Sequence, residues 1–267
     1  MAKGVGDATV DALNVVSVNE AFADARLDGE GALTQQIYRL LRRLIVGLTL
    51  LPNQFLSEKD VASCLAISKT PVREAFIRLA EDGIVRIVPK SGTYVAPIDI
   101  ERAREGYFVR NALETSCAAQ AAELANLGDV RRLRELLGQQ KAIAENGGFS
   151  AFAVANDRFH SLIFEIADLP DAGLMIDAAR FEIDRIQRLR DRYDRRSIED
   201  SVAEHSGIVN AIALHDAEAA RDCMERHLKK VQHAVEALAG EEEMRGVLEF
   251  LNQKRPGTRR SRGERNG

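Results

Sequence analysis

The 267-residue sequence predicts a mostly α-helical protein in two parts: a small N-terminal helical domain closed by a β-hairpin, and a larger all-helical bundle. Three observations carry this. From Leu33 on, apolar residues recur at helical spacing. Strand-like runs are confined to "IVRIV" and "TYVAP", on either side of "PKSG". Charge is also uneven. Residues 31–98 carry nine Lys and Arg against five Asp and Glu, whereas residues 99–253 have a net charge of −9. A basic segment beside an acidic body suggests separate tasks. An apolar content of 45% excludes a wholly disordered chain.

Residues 1–30 are acidic and aperiodic, so a flexible arm is expected there. In "LTQQIYRLLRRLIVGL" (33–48), Leu33, Ile37, Leu40, Leu41, Leu44, Ile45 and Leu48 share one helical face. Pro52 and Asn53 break it. Ser57 is placed to cap the short helix "EKDVASCL". After the turn "AIS" comes a helix with Pro71 in its first turn, where a missing N–H costs little. Asp82-Gly83 ends it, and the hairpin follows.

From Asp99 onward no strand alternation remains. Helical stretches run over 99–126, 129–145, 149–168, 171–196, 198–215 and 217–239, broken at Gly128, Gly147-Gly148, Pro170, Ser197 and His215-Asp216. Six such helices make a bundle. The domain boundaries expected are 1–30, 31–98, 99–240 and 241–267, the last holding a helix end and the basic, low-complexity "KRPGTRRSRGERNG". Three scattered cysteines without a CxxC, no signal-like N-terminus and no apolar run beyond "LIVGLTLLP" point to a cytoplasmic protein with no membrane association.

Helix, short helix, turn, helix and hairpin is the layout of a winged helix-turn-helix, in which the second helix of the pair enters the DNA major groove with its N-terminus leading. Here that N-terminus holds Ser68, Lys69, Thr70 and Arg73. Val72, Phe76 and Leu79 lie on the opposite, core-facing side. Lys90, Ser91 and Gly92 form the hairpin tip, where Gly would let the backbone approach a groove wall. Lys59 opens the preceding helix, within reach of a phosphate. Any one of these cations alone reads equally as a solvated helix face; the set, with its order of elements, reads as DNA binding.

The stretch "LSEKDVASCLAISKTPVREAFIRLAEDGIVRIVPKSGTYVAP" resembles the DNA-binding domain of GntR-family bacterial transcription regulators. The resemblance spans about residues 33–97. It departs from the family pattern at Val61-Ala62, where Leu-Ala is usual, and at Lys69, where the family has Arg. Lys keeps the charge but loses the bidentate fork for guanine.

In the acidic part, Asn156 and His160 stand four apart on one helix, His205 lies beside Glu204 on a second, and His227 lies on a third. Three histidines and an oxygen donor from three helices could hold a metal; the alternative is separate surface or core histidines. "NDRFHSLI", "EHSGIVNAI" and "MERHL" resemble the FCD-type effector domain of the FadR subfamily, over about residues 100–240. The resemblance implies a divalent ion (zinc, nickel or manganese) held by Asn156, His160, His205 and His227, on the floor of a pocket for a small organic acid. Asn156 stands where the family has Asp, so a charged ligand is missing. The adjacent Asp157 points about 100° away on the helix. "YFVRNALE" resembles the first long helix of that domain, where an Arg faces the pocket, which makes Arg110 the candidate effector contact; a surface Arg110–Glu114 pair is the alternative. Arg188 is a weaker candidate for the same contact, within "FEIDRIQRLRDRYDRR", a run that reads rather as a solvated charged stripe.

The function expected is a homodimeric transcription regulator that binds palindromic operator DNA and answers to a small carboxylate, with repression the commoner behaviour of the family. The alternative is a helical metal-dependent enzyme. It would need an open metal position and a framed general base, and no catalytic motif supplies one, so no enzyme is expected.

Overall fold

The computed structural model describes residues 16–23, 25–146, 149–191, 196–240 and 242–253. The chain forms two compact units, Met1–Ile98 with Gly246–Gly267, and Asp99–Arg245.

In the first unit, α1 (Val18–Ala21) precedes α2 (Leu33–Val46), which buries Ile37, Leu40, Leu41 and Ile45. Next come β1 (Phe55–Leu56), α3 (Glu58–Cys64), α4 (Lys69–Glu81), β2 (Val85–Val88) and β3 (Gly92–Val95). Ser57 caps α3 by accepting from the Asp60 N–H. The buried face of α4 is Val72, Ala75, Phe76 and Leu79, and it packs on α2 and β2. The sheet is antiparallel, in the order β1-β3-β2. Sequence pattern does not reveal β1, because two residues carry no period; it forms by pairing Phe55 with Tyr94 and Leu56 with Thr93.

The arm expected over 1–30 is anchored from residue 16; residues 1–15 lie outside the described residues. Ser17 and Glu20 form a capping box, Phe22 is buried, and Arg39 donates to Asp28 at 2.6 Å. At the other end, α12 (Glu242–Asn252) buries Val247 and Leu251. The basic run 254–267 lies outside the described residues.

The second unit consists of α5 (Ile100–Leu124), α6 (Leu127–Glu145), α7 (Phe149–Ile166), α8 (Pro170–Ala179), α9 (Phe181–Asp191), α10 (Arg196–Ala213) and α11 (Ala217–Gly240). The central α5 buries mostly small residues, including Ala103, Gly106, Ala118, Ala121 and Ala122. Small side chains let its neighbours approach closely: a Cβ on Gly106 would lie 2.1 Å from the Ala179 carbonyl oxygen. The core is completed by Phe159, Leu162, Ile163, Ile208, Ile212, Met224 and Leu228.

Two expectations are corrected. The helix predicted over 171–196 is two helices, separated at Arg180. No Gly or Pro marks the break; it falls where Ala179 meets Gly106, a tertiary contact that periodicity does not record. Over residues 181–189 the charged run that follows is not a solvated stripe; residues 192–195 of it lie outside the described residues. Phe181, Ile183, Ile186 and Leu189 are buried, and so are Glu182 and Arg185, paired at 3.1 Å. Pairing makes that burial tolerable. Among the described residues, no helix is long and apolar enough to cross a membrane.

Candidate functional site

The start of α4 presents Ser68, Lys69, Thr70 and Arg73, all exposed. Ser68 occupies the cap position, but its hydroxyl makes no capping bond. Arg73 donates to both carboxylate oxygens of Glu58, on α3, at 3.1–3.3 Å. This pair ties the two helices of the motif together and holds the guanidinium at the surface. Such exposed pairs contribute little to stability. Lys59, Lys90 and Ser91 are also exposed. Lys90 turns the hairpin at φ 60°, and Ser91 Oγ lies 2.8 Å from Tyr94 Oη. Gly92 has a structural requirement of its own. It sits at φ 122°, and a Cβ there would fall 2.4 Å from Phe55 Cε2, so it seats the β1 aromatic ring against the wing.

In the second unit, His160 on α7, His205 on α10 and His227 on α11 come together, with one ring nitrogen of each within 4.8 Å of the others. All three are buried. Each ring's other nitrogen faces an acceptor from a helix other than its own. His227 Nδ1 lies 2.9 Å from Glu204 Oε2, His205 Nδ1 lies 2.8 Å from Gln140 Oε1, and His160 Nδ1 lies 2.7 Å from Glu114 Oε2, out of line for a good hydrogen bond. Gln140 leaves little choice of tautomer. Its amide N–H₂ donates to the Ala155 carbonyl at 3.1 Å, so its oxygen faces His205, and His205 Nδ1 must carry the proton. Glu204 does the same for His227, while Glu114 is the acid nearest His160 Nδ1. The Nε2 atoms of His205 and His227 are then lone-pair donors. His205 Nε2 and His227 Nε2 lie 3.4 Å apart, and His160 Nε2 is buried with no partner. Converging lone pairs repel unless a proton or a cation lies among them. Acceptors that hold the far nitrogen of each ring are also what metal-binding histidines use. The donor set therefore fits a divalent ion of the imidazole-preferring kind.

The electrostatics agree. Burial, then the neighbouring imidazoles, pushes His205 well below its usual range, and burial also lowers His160, so both rings are neutral and able to ligate. Burial alone would raise the Glu114 carboxyl, but Arg110 and then His160 outweigh it and hold it well below the carboxylate range.

Asn156 is half-buried, one turn ahead of His160 on α7. Asp157 is turned away from it and pairs with Arg180. Arg110 donates to Glu114 through Nε at 2.6 Å, and the pair is buried, 3% and 1% exposed, rather than lying on the surface. The guanidinium thus sits one carboxylate away from His160. Sequence reasoning misses Glu114, Gln140 and Glu204 as supports. Glu204 adjoins His205 in sequence but serves His227; no spacing rule reveals partners that come from three different helices.

Comparison with known proteins follows the two units. Residues 33–95 match the family of bacterial regulatory proteins, gntR family, and residues 105–230 match the FCD domain. The chain is 33% identical over 219 residues to the HTH-type transcriptional repressor RspR of Escherichia coli (strain K12), covering 82% of this chain and 95% of that one. It is 24% identical to the HTH-type transcriptional regulator McbR of the same organism, over 72% of this chain and 88% of that one. Among solved structures, E. coli McbR/YncC superposes with a TM-score of 0.70 at 22% identity, covering 79% of this chain and all of that one. A GntR regulator from Rhodococcus sp. RHA1 gives 0.62 at 24% identity, over 76% and 97% of the two chains. At these identities the structural likeness speaks for the fold alone.

Proposed function

Because the chain belongs to the GntR family of bacterial transcription regulators and carries an FCD domain, we propose that it is a homodimeric repressor whose operator affinity is set by a small carboxylic acid bound beside a divalent metal. The family settles that it is a DNA-binding transcription regulator and not an enzyme. The finer reading is supported by one observation above all: three buried imidazoles whose Nε2 atoms converge while Glu114, Gln140 and Glu204 face their Nδ1 atoms. Repression is inferred from the name of the RspR relative.

On this reading Lys69, Thr70 and Arg73 reach base edges, and Ser68, Lys59, Lys90, Ser91 and Gly92 lie along phosphates. Two winged units related by a two-fold axis would read a palindrome. In the second unit His160, His205 and His227 hold the ion, with Asn156 offering a neutral oxygen. The ion, when bound, supplies a positive charge for a carboxylate to coordinate. Arg110 would offer the second contact, at the cost of sharing its guanidinium with Glu114. The acid must prefer one arrangement of the dimer to change DNA affinity at all.

The test begins with selection of duplexes from a random pool, which should return inverted repeats, and with light scattering, which should give a dimer mass. Zinc-, nickel- and manganese-loaded protein is then screened against mono-, di- and tricarboxylic acids by thermal shift. An acid that binds should change operator affinity by roughly 5- to 150-fold. An acid that binds tightly and leaves DNA affinity unchanged refutes the coupling.

A further inference from the structure

Arg158 and His160 stand two residues apart on α7, about 200° round the helix. His160 joins the imidazole cluster, whereas Arg158 lines an open groove of about 530 Å³ between α6 and α7. A volume of that size suits a small molecule. The walls are aliphatic: Leu136 and Ile143 from α6, with Ala151, Val154 and Leu162 from α7. Val154 is 68% exposed, so the groove offers apolar surface to whatever enters it. Among the described residues no aromatic ring lines it.

The polar groups on its rims carry both signs. Glu135 and Gln139 stand one turn apart on α6, and Arg158 stands across from them on α7. All three are exposed. Arg132 also lines the groove, but Glu165 engages it at 2.5 Å and Asp129 at 3.5 Å. Arg158 differs: among the described residues its guanidinium has no hydrogen bond or ion pair. Glu135 makes only a 3.9 Å approach to Arg131 and does not pair with Arg158. An anion and a cation held apart on the rims of an aliphatic cleft complement a ligand with both charges at one end and a hydrocarbon body.

The groove also borders a support of the imidazole cluster. Ala155 lines it, and the Ala155 carbonyl accepts from Gln140 Nε2 at 3.1 Å, while Gln140 Oε1 faces His205 Nδ1 at 2.8 Å. A molecule seated between Gln139 and Val154 bears on the spacing of α6 and α7, which the Gln140–Ala155 bond spans. Stretching that bond releases the amide that fixes the His205 ring.

We infer that this groove is a second effector site, which takes an aliphatic α-amino acid with its carboxylate on Arg158, its ammonium on Glu135 and its side chain along Leu136, Val154 and Ile143. Occupancy loosens the Gln140–Ala155 bond and so weakens the hold of the imidazoles on an ion. The effect on the ion rests on the metal reading of the three histidines; the groove itself does not. By linkage, the ion weakens the amino acid by the same factor.

The probe is L-leucine, titrated by calorimetry into the metal-free full chain, where binding at millimolar concentration or below is expected. Glycine, with both charges and no hydrocarbon, should bind about tenfold more weakly. 4-Methylpentanoate lacks the ammonium and isopentylamine lacks the carboxylate; each should bind about two- to fivefold more weakly, the scale of a solvent-screened charge pair. Arg158→Gln and Glu135→Gln are surface changes and should weaken leucine to the same extent, and Val154→Asp should abolish its binding. Leucine should shift the ring-nitrogen resonances of His205 in metal-free protein labelled at histidine, and should lower zinc affinity, read against a chelator, by about fivefold or more. Gln140→Met keeps the buried bulk without the amide, so it should bind leucine normally and show no response of zinc affinity to it. Absence of heat with leucine, or unaltered binding in Arg158→Gln and Val154→Asp, overturns the site. 4-Methylpentanoate binding as tightly as leucine overturns the zwitterion. Leucine that binds but leaves the His205 resonances and zinc affinity unchanged overturns the link to the imidazoles. If the protein takes up no zinc, the metal reading fails, and calorimetry with the His205 resonances still decides the groove.

Discussion

His205 Nε2 and His227 Nε2 face each other across 3.4 Å, and each ring's other nitrogen is held by an acceptor, Gln140 for His205 and Glu204 for His227. Two neutral imidazoles so arranged present lone pairs to one another. Without a cation this is a cost, and with one it is a preformed half-site. Adding zinc, nickel or manganese should therefore raise the thermal midpoint, and His205→Ala should abolish that rise.

Gln140 touches no ligand position, yet its bond network sets the tautomer of His205. Gln140→Ala should lower metal affinity by about 10- to 100-fold, as loss of a supporting hydrogen bond does elsewhere. Asn156→Asp should act in the opposite direction by adding a charged oxygen. Competition against a chelator of known affinity measures both; a metal affinity unaffected by Gln140→Ala would refute the tautomer argument.

On the DNA side, Arg73→Ala should cost about 1–3 kcal/mol on a selected operator and relax its sequence preference. Lys90→Ala should weaken operator and random duplex alike and reduce the salt slope by about one. Glu58 shares Arg73, so Glu58→Gln should leave the fold intact while freeing the guanidinium. Gel shifts at two salt concentrations separate these outcomes.

Two glycines in helices make a contrasting pair. Gly106→Ala would drive a Cβ to 2.1 Å from the Ala179 backbone oxygen, and backbone cannot yield cheaply. A destabilisation of about 1–3 kcal/mol is expected from the overpacking. Gly138, on α6, has nothing within 4 Å. Gly138→Ala should stabilise by about 0.5–1 kcal/mol, through helix propensity alone. Urea unfolding of both variants checks the signs.

Tyr38 donates to Asp82 at 2.6 Å, joining α2 to the end of α4, and burial together with that carboxylate pushes its phenol up to about 12. The unfolded phenol titrates near 10.0. Because the folded value is the higher one, the stabilisation is fully present below pH 10 and is lost as pH rises toward 12. The stability difference between wild type and Tyr38→Phe should therefore shrink between about pH 10 and about pH 12, read by denaturant unfolding.

The winged unit is legible in the sequence because its signals are local. Ser57 caps α3, Pro71 opens the first turn of α4, and Val72, Phe76 and Leu79 repeat at helical spacing, all within a short stretch of chain. The three histidines are likewise legible as residue types on three separate helices. Periodicity also marks the helices of the bundle, apart from the break at Arg180.

Local pattern cannot register contacts that join distant segments. The tertiary structure alone decided that Glu114, Gln140 and Glu204 support the histidines, since each comes from a different helix. It decided that Arg110 and Glu114 form a buried pair, because only packing fixes which face of α5 is sealed. It turned an apparent charged stripe into the buried Glu182–Arg185 pair, because an ion pair satisfies charges that composition reads as solvent-seeking. It also brought Asn252 to Ile98 across 154 positions of sequence, a pairing that no period or motif encodes because both partners gain their bonds only once the winged unit has folded.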